Sequence, residues 1–230
     1  LAQPITVIEN PLKPTIVPAL NAKKAPKELR LGYIGRLIPL KGVSLLLHAL
    51  TAFKGQPVTL TIAGDGPEKE ALMQEAKRLN VPVTFFGAIK DVSGFYDSID
   101  ILLVPSIREP LGLVAQEAAL RGCPVIAAKV DGLPEVVQNG KTGFCLEPTL
   151  DLGHYKEFGG QNQNMPDLVY NPTTDSLTTP KLVSPQDIVD AVGCLIDKPA
   201  LFETMSQNAI AFASKRPNFI QYTKSLLSYF

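Results

Sequence analysis

The sequence predicts an α/β fold organised as a doubly wound parallel sheet, with a long irregular insertion and C-terminal helices after it. Three observations carry that expectation. Strand-like and helix-like segments alternate six times up to Glu147, the connections between them are short, and the rhythm stops at Pro148. Parallel strands are joined through helix-sized crossovers of one hand, so steady alternation selects this architecture.

The elements follow in order. "LRLGYIG" (29–35) is a short strand closed by glycine, and "KGVSLLLHALTAF" (41–53) sets Val43, Leu46, Leu47 and Leu50 on one helix face. "PVTLTIAG" (57–64) is a strand rich in β-branched residues. "PEKEALMQEAKRLN" (67–80) reads as a helix with Pro67 at its first position. "VPVTFFG" (81–87) is a third strand, "DVSGFYDS" (91–98) a short helix and "DILLVPS" (100–106) a fully apolar fourth strand. Helix "GLVAQEAALRG", strand "CPVIAA", helix "LPEVVQNG" and strand "TGFCLE" complete the alternation. Residues 148–183 are rich in Asn, Gln, Thr, Gly and Pro, and read as a mobile surface excursion with at most a short hairpin. Helices resume at "SPQDIVDAVGCLID", with Ser184 as cap and Pro185 at the first position, then "PALFETMSQNAIAFA" and a last helix in 217–230.

Composition narrows the function. An apolar fraction of 45% over 230 residues supplies core for one large domain or two small ones. Lys plus Arg and Asp plus Glu both total 22, so the chain lacks the broad positive field of a nucleic-acid binder, and any anion must be gripped locally. Cys123, Cys145 and Cys194 are scattered in apolar runs, which suits small buried groups in a reducing compartment better than a disulfide frame or a zinc site. No apolar run reaches membrane-spanning length and no signal peptide is recognisable.

In such a sheet, ligands bind at the carboxyl ends of strands, which directs attention to the loops at 35–41, 64–67, 87–91, 105–112 and 128–133. The first loop offers Arg36 and Lys41 just before a helix N-terminus. That set fits a diphosphate clamp, and equally two solvated cations beside a turn. Gly64 and Gly66 permit close approach of a ligand or an ordinary tight turn. "GYIGR" lacks the dinucleotide-binding spacing, and "NGKTG" lacks the earlier glycine and following helix of a P-loop. Neither His48 nor His154 has an identifiable catalytic partner, and no metal-ligand cluster stands out.

Two glutamates lie in "REPLGLVAQEA" (108–118): Glu109 in the loop after the fourth strand and Glu117 in the next helix. Glu117 shares a helix face with Leu113 and Leu120 and need not project to solvent. Carboxylates accept hydrogen bonds from vicinal sugar hydroxyls. A glycosidase pair needs two carboxyls across an open cleft, of which this junction gives no sign.

The ordered set "GYIGRLIPLKG", "IAGDGP", "FFGAIKD", "VPSIREPLGLVAQEAALRGCPVIA" and "VDGLPEVVQNGKTGF" resembles the C-terminal, donor-binding half of family 4 glycosyltransferases, enzymes of two-domain GT-B architecture. The likeness covers about residues 28–147, with weaker agreement in the helices after 184. It implies a Rossmann-like domain over 28–216, with 1–27 as inter-domain linker and 217–230 as a helix crossing back to an N-terminal domain that precedes Leu1. It also implies that Arg36 and Lys41 hold the diphosphate of a nucleotide-sugar donor without a metal or other cofactor. Gly112, Leu113 and Val114 would meet phosphates or sugar through the backbone. Glu109 would act beside the donor sugar as the catalytic carboxylate, Glu117 would bind the ribose, and Phe86, Gly87 and Ile89 would line the base. Pro110-Leu111 departs from the Gly-Phe or Pro-Phe common after the family's first glutamate, which bears on sugar selectivity.

The implied function is the donor half of a retaining, metal-independent hexosyltransferase acting on a glycan or glycolipid. Its expected setting is cytoplasmic, with any membrane contact made through the other half, and the fragment alone is expected to transfer nothing. Two alternatives are a degenerate interaction module and another GT-B enzyme such as a sugar-nucleotide epimerase. The first would bind no nucleotide; the second shares the donor site.

Overall fold

The computed structural model describes residues 10–11 and 15–228. Most of the expected linker segment "ITVIENPLKP" therefore lies outside the described residues. Six parallel strands form the central sheet: β1 (Leu29–Ile34), β2 (Val58–Ala63), β3 (Val83–Gly87), β4 (Ile101–Val104), β5 (Val125–Ala128) and β6 (Gly143–Leu146). Their order is β3-β2-β1-β4-β5-β6. The chain thus builds outward from β1 in one direction, then returns to β1 and builds outward in the other. The doubly wound sheet expected from the alternation is what forms.

Helices α1 (Val43–Leu50), α2 (Lys69–Leu79), α3 (Val92–Ser98), α4 (Leu113–Leu120) and α5 (Leu133–Val136) connect the strands. Helix α1 packs on α2 and on α6 (Pro185–Asp197), while α4 packs on α5 and α7 (Pro199–Ala213). The core between these layers is fully apolar along β4 and β5, with Ile101, Leu102, Val125 and Ile126 all buried, as both-face coverage demands. Helix α2 starts two residues later than its proline suggested: Glu68 is its cap and Pro67 lies outside. Helix α5 stops after one turn, because Val137 is already extended at φ −123° and ψ 109°.

The insertion differs from expectation. It is not a loose excursion but a braced segment. Strand β7 (Leu150–Asp151) pairs antiparallel with β10 (Lys181–Leu182), and β8 (Val169–Asn171) and β9 (Ser176–Thr178) form the short hairpin. Between β7 and β8 a 3₁₀ stretch, Leu152–Phe158, buries Tyr155 completely, and the Tyr155 hydroxyl donates to the Pro39 carbonyl at 2.9 Å. Phe158 meets the ring of His48 edge-on at 5.3 Å, and His48 in turn contacts Glu75 at 2.8 Å. His48 therefore packs and pairs; it is not placed as a catalytic base.

The last helix, α8 (Phe219–Leu227), begins with a capping box from Asn218 and Gln221. It buries none of its residues, and Phe219, Ile220 and Leu227 are more than half exposed. No helix among the described residues is long and apolar enough to cross a membrane.

Candidate functional site

The point where a doubly wound sheet reverses direction leaves a crevice between the carboxyl ends of the two central strands. Here those strands are β1 and β4, and a cavity of about 360 Å³ opens there. Ile34 and Gly35 bound it from β1, Val104 and Ser106 from β4, and Asn10 from the lead-in segment. Its floor includes Tyr33, whose buried hydroxyl donates to the Arg36 carbonyl at 2.9 Å. Burial, then the nearby Glu109 carboxylate, push the Tyr33 pKa far above its ordinary value, so the phenol stays neutral.

Two loops close over this cavity. A short 3₁₀ turn, Pro39–Lys41, follows β1, and the Ile107 amide donates to the Leu40 carbonyl at 2.8 Å, tying that loop to the one after β4. The tie brings Lys41 against Glu109, with Nζ and Oε2 2.5 Å apart. Helix α4 then starts at the cavity wall. Its cap is Gly112, at φ 81°, a left-handed conformation that glycine adopts without strain, and a β-carbon there would press into Leu133. Glycine supplies no side chain to the first-turn amides, and the Leu113 and Val114 N–H groups have no intrahelical partner. The result is an uncapped helix start, with its positive dipole end, bordering the same cavity as Lys41. The hydroxyl of Ser106 is buried beside it with no hydrogen-bond partner among the described residues. An orphaned hydroxyl on a cavity wall is a feature of sites that accept a polar ligand or water.

Of the residues expected from the sequence, Lys41, Glu109, Gly112, Leu113 and Val114 all line this one cavity. Arg36 sits on the adjoining loop, exposed, and makes no side-chain hydrogen bond or ion pair among the described residues. Glu117 is only 3% exposed and lies behind the wall, where it accepts a 2.8 Å hydrogen bond from the Tyr96 hydroxyl. Phe86, Gly87 and Ile89 stand at the end of β3 on the sheet edge and do not line the cavity, and Phe86 is exposed. Gly64 serves packing: a β-carbon there would collide with the Gly35 carbonyl, so the glycine lets the two loops touch.

Sequence reasoning missed Ser106 and Asp131. Asp131 follows β5 in a left-handed conformation, φ 47°, uncommon for a residue with a side chain. Its carboxylate accepts the Glu109 amide at 2.8 Å and the Tyr170 amide at 3.0 Å. The one available signal was a charged residue in the loop at 128–133, already marked as a strand end. Among the described residues no group of three His, Cys, Asp or Glu side chains is arranged to hold a metal ion.

The fold and this crevice match known proteins. The model of glycosyl transferases group 1 matches residues 20–157, more than half of the chain. The chain belongs to that family. It is 36% identical over 152 residues to a glycogen synthase of Mycobacterium tuberculosis, covering 63% of this chain and 36% of that protein. It is 36% identical over 121 residues to a sulfoquinovosyl transferase of Arabidopsis thaliana, covering 50% of this chain and 23% of that protein. The chain thus spans little more than a third of the length of these relatives, or less. Among solved structures, Anabaena Alr3699/HepE in complex with UDP and glucose superposes with a TM-score of 0.69 and 25% identity, over 88% of this chain and 48% of that one. The C-terminal domain of a group 1 glycosyl transferase (LpcC) from Francisella tularensis has a TM-score of 0.64 and 23% identity, and this chain covers 96% of it. The fold of this glycosyltransferase-family chain is accordingly the Rossmann-like half of the GT-B architecture.

Proposed function

We propose that the cavity between β1 and β4 binds a nucleotide-diphosphate sugar, and that the chain is the donor half of a retaining, metal-independent glycosyltransferase. In the longer protein a hexose passes to a glycan or glycolipid acceptor supplied by the other domain. The observation that carries the reading is the meeting of Lys41, Glu109 and the uncapped start of α4 on one cavity wall. A cation and free amides on one side suit a diphosphate, and a carboxylate beside them suits sugar hydroxyls.

In this reading Lys41 and the amides of Leu113 and Val114 stabilise the leaving diphosphate as the donor C–O bond breaks, a preorganised electrostatic contribution of the kind that dominates many reactions. Arg36, exposed on the adjoining loop, closes onto the phosphates. Glu109 stands beside the sugar. Glu117, held by Tyr96 behind the wall, has to turn toward the cavity to take the ribose hydroxyls, and Phe86 to Ile89 flank the base beyond the cavity itself. The UDP and glucose named with the HepE structure favour uridine as the first base to try. The working compartment is the cytoplasm.

Calorimetric titration of the chain with UDP, GDP and ADP tests this. Half of a two-domain site is expected to bind one nucleotide at about 10 μM to 1 mM, roughly −7 to −4 kcal/mol. Arg36→Ala, Lys41→Ala and Glu117→Ala are each expected to weaken it by about tenfold. A folded chain that binds none of the three, or binds them with no dependence on Lys41, would overturn the proposal.

A further inference from the structure

We propose that Asp131 is a positioning residue through which the inserted segment holds Glu109 in place. The backbone of Glu109 is gripped on both sides by one turn: its amide donates to Asp131 Oδ2 at 2.8 Å, and its carbonyl accepts the Gly132 amide at 3.3 Å. The same aspartate grips the insertion. Its Oδ1 accepts the Tyr170 amide at 3.0 Å, and its own amide donates to the Tyr170 carbonyl at 3.0 Å. One half-buried carboxylate thus joins residue 109 of the cavity to the first strand of the hairpin at 169–178.

The backbone geometry agrees with such a role. Asp131 occupies the left-handed region at φ 47°, where glycine would sit without strain. Aspartate there is compensated by the two amides that its side chain satisfies. Neither amide has another acceptor in the hydrogen bonds of that turn. Glu109 carries its carboxylate to Lys41 from a loop between β4 and α4 that has no regular structure of its own. A loop residue is placed only as well as its backbone is anchored. Here the anchor reaches beyond the sheet, into a segment that composition alone marked as irregular.

The consequence rests in part on the donor reading above: loosening Glu109 changes how the sugar, not the nucleotide, is held. Asp131→Gly relieves the backbone strain while deleting both hydrogen bonds, so it separates the side chain's role from folding. Asp131→Asn tolerates the same φ but offers one carbonyl oxygen in place of two acceptors. Amide hydrogen exchange on the chain without ligand is expected to quicken at least tenfold at both Glu109 and Tyr170 in Asp131→Gly. In Asp131→Asn one of the two is expected to stay slow, while the Leu102 amide in β4 is unchanged in both variants. Unaltered exchange at Glu109 in folded Asp131→Gly, or at both amides in folded Asp131→Asn, would overturn the proposal. Titration with UDP and UDP-glucose gives the second readout: UDP affinity is expected to hold within twofold, and the extra affinity contributed by glucose to fall at least threefold in Asp131→Gly. A glucose increment that survives Asp131→Gly would overturn the positioning role. A wild-type chain that binds neither compound would instead refute the donor reading, and the exchange data alone would then decide the brace.

Discussion

Lys41 and Glu109 lie 68 positions apart in sequence, yet the Lys41 ammonium donates to the Glu109 carboxylate at 2.5 Å across the mouth of the β1–β4 cavity, each side chain 16% exposed. The site therefore carries a pair that neutralises itself. Under the proposed donor reading, a diphosphate entering this cavity would draw Lys41 away from Glu109, and a sugar hydroxyl would take the carboxylate that is released. The ion pair keeps both partly buried charges satisfied.

Removing the acidic partner is expected to free Lys41. Glu109→Gln should bind UDP about three- to tenfold more tightly than wild type, because a neutral amide competes poorly for the ammonium. Lys41→Met should lose at least roughly tenfold, in line with the ~1.5–3 kcal/mol of hydrogen bonds to charged groups. Calorimetric titration of both variants reads the sign directly. Weaker UDP binding by Glu109→Gln would show that the carboxylate assists the nucleotide and does not compete with it.

The Tyr96 hydroxyl donates to Glu117 at 2.8 Å where both residues are buried. Burial first, then the neighbouring carboxylate, raise the phenol's pKa well above its usual value and keep it a donor. Tyr96→Phe keeps the ring and removes one donor from a buried carboxylate, at an expected cost of about 1–3 kcal/mol. For a chain of this size that lowers Tm by roughly 2–12 °C. Thermal unfolding at pH 7 measures it. An unchanged Tm would mean that Glu117 is satisfied without Tyr96.

Glu68 caps α2, is only 5% exposed, and burial raises its pKa from 4.5 to about 7. A carboxyl raised in the folded state favours folding when protonated: its contribution is complete below about 4.5 and is lost as pH rises through about 7. Glu68→Gln is therefore expected to match wild type near pH 4 and to be more stable at pH 8, by on the order of 1–3 kcal/mol. Scanning calorimetry at both pH values tests the sign. Equal stabilities at pH 8 would place Glu68 in better contact with solvent.

The alternation from Leu29 to Glu147 was legible because α1 and α2 show helical periods and the strands read as short apolar or β-branched runs, and parallel pairing then fixes the sheet. The convergence of Lys41, Glu109 and Gly112 followed from the same order, since strand ends carry the ligand loops. Glu117's burial was foreshadowed by Leu120 on the same helix face, although Leu113 on that face stays 40% exposed. The insertion was not legible. Strands of two or three residues have no period to read, and the burial of Tyr155 rests on long-range contacts such as its bond to the Pro39 carbonyl, 116 positions away. Asp131 escaped for a related reason: its partners are backbone amides 22 and 39 positions away, and no pattern of side chains in sequence reports them.

Whether the insertion belongs to the fold is open to measurement at Tyr155. Its ring is wholly buried, and its hydroxyl donates to the Pro39 carbonyl in the turn that delivers Lys41. Burial pushes the phenol's pKa up, so it donates across the working pH range. Tyr155→Phe is expected to cost about 1 kcal/mol, and Tyr155→Ala about 3–5 kcal/mol through the cavity that it leaves. Substitutions on a surface loop usually stay within about ±0.5 kcal/mol. Urea unfolding separates the two cases, and the Pro39 contact adds a second readout. Because the lost bond loosens the turn before Lys41, Tyr155→Phe should also weaken UDP binding about two- to fivefold, at a site that the tyrosine does not line. A stability loss with UDP affinity untouched would make Tyr155 a core residue only; both effects together would make the insertion part of the donor site.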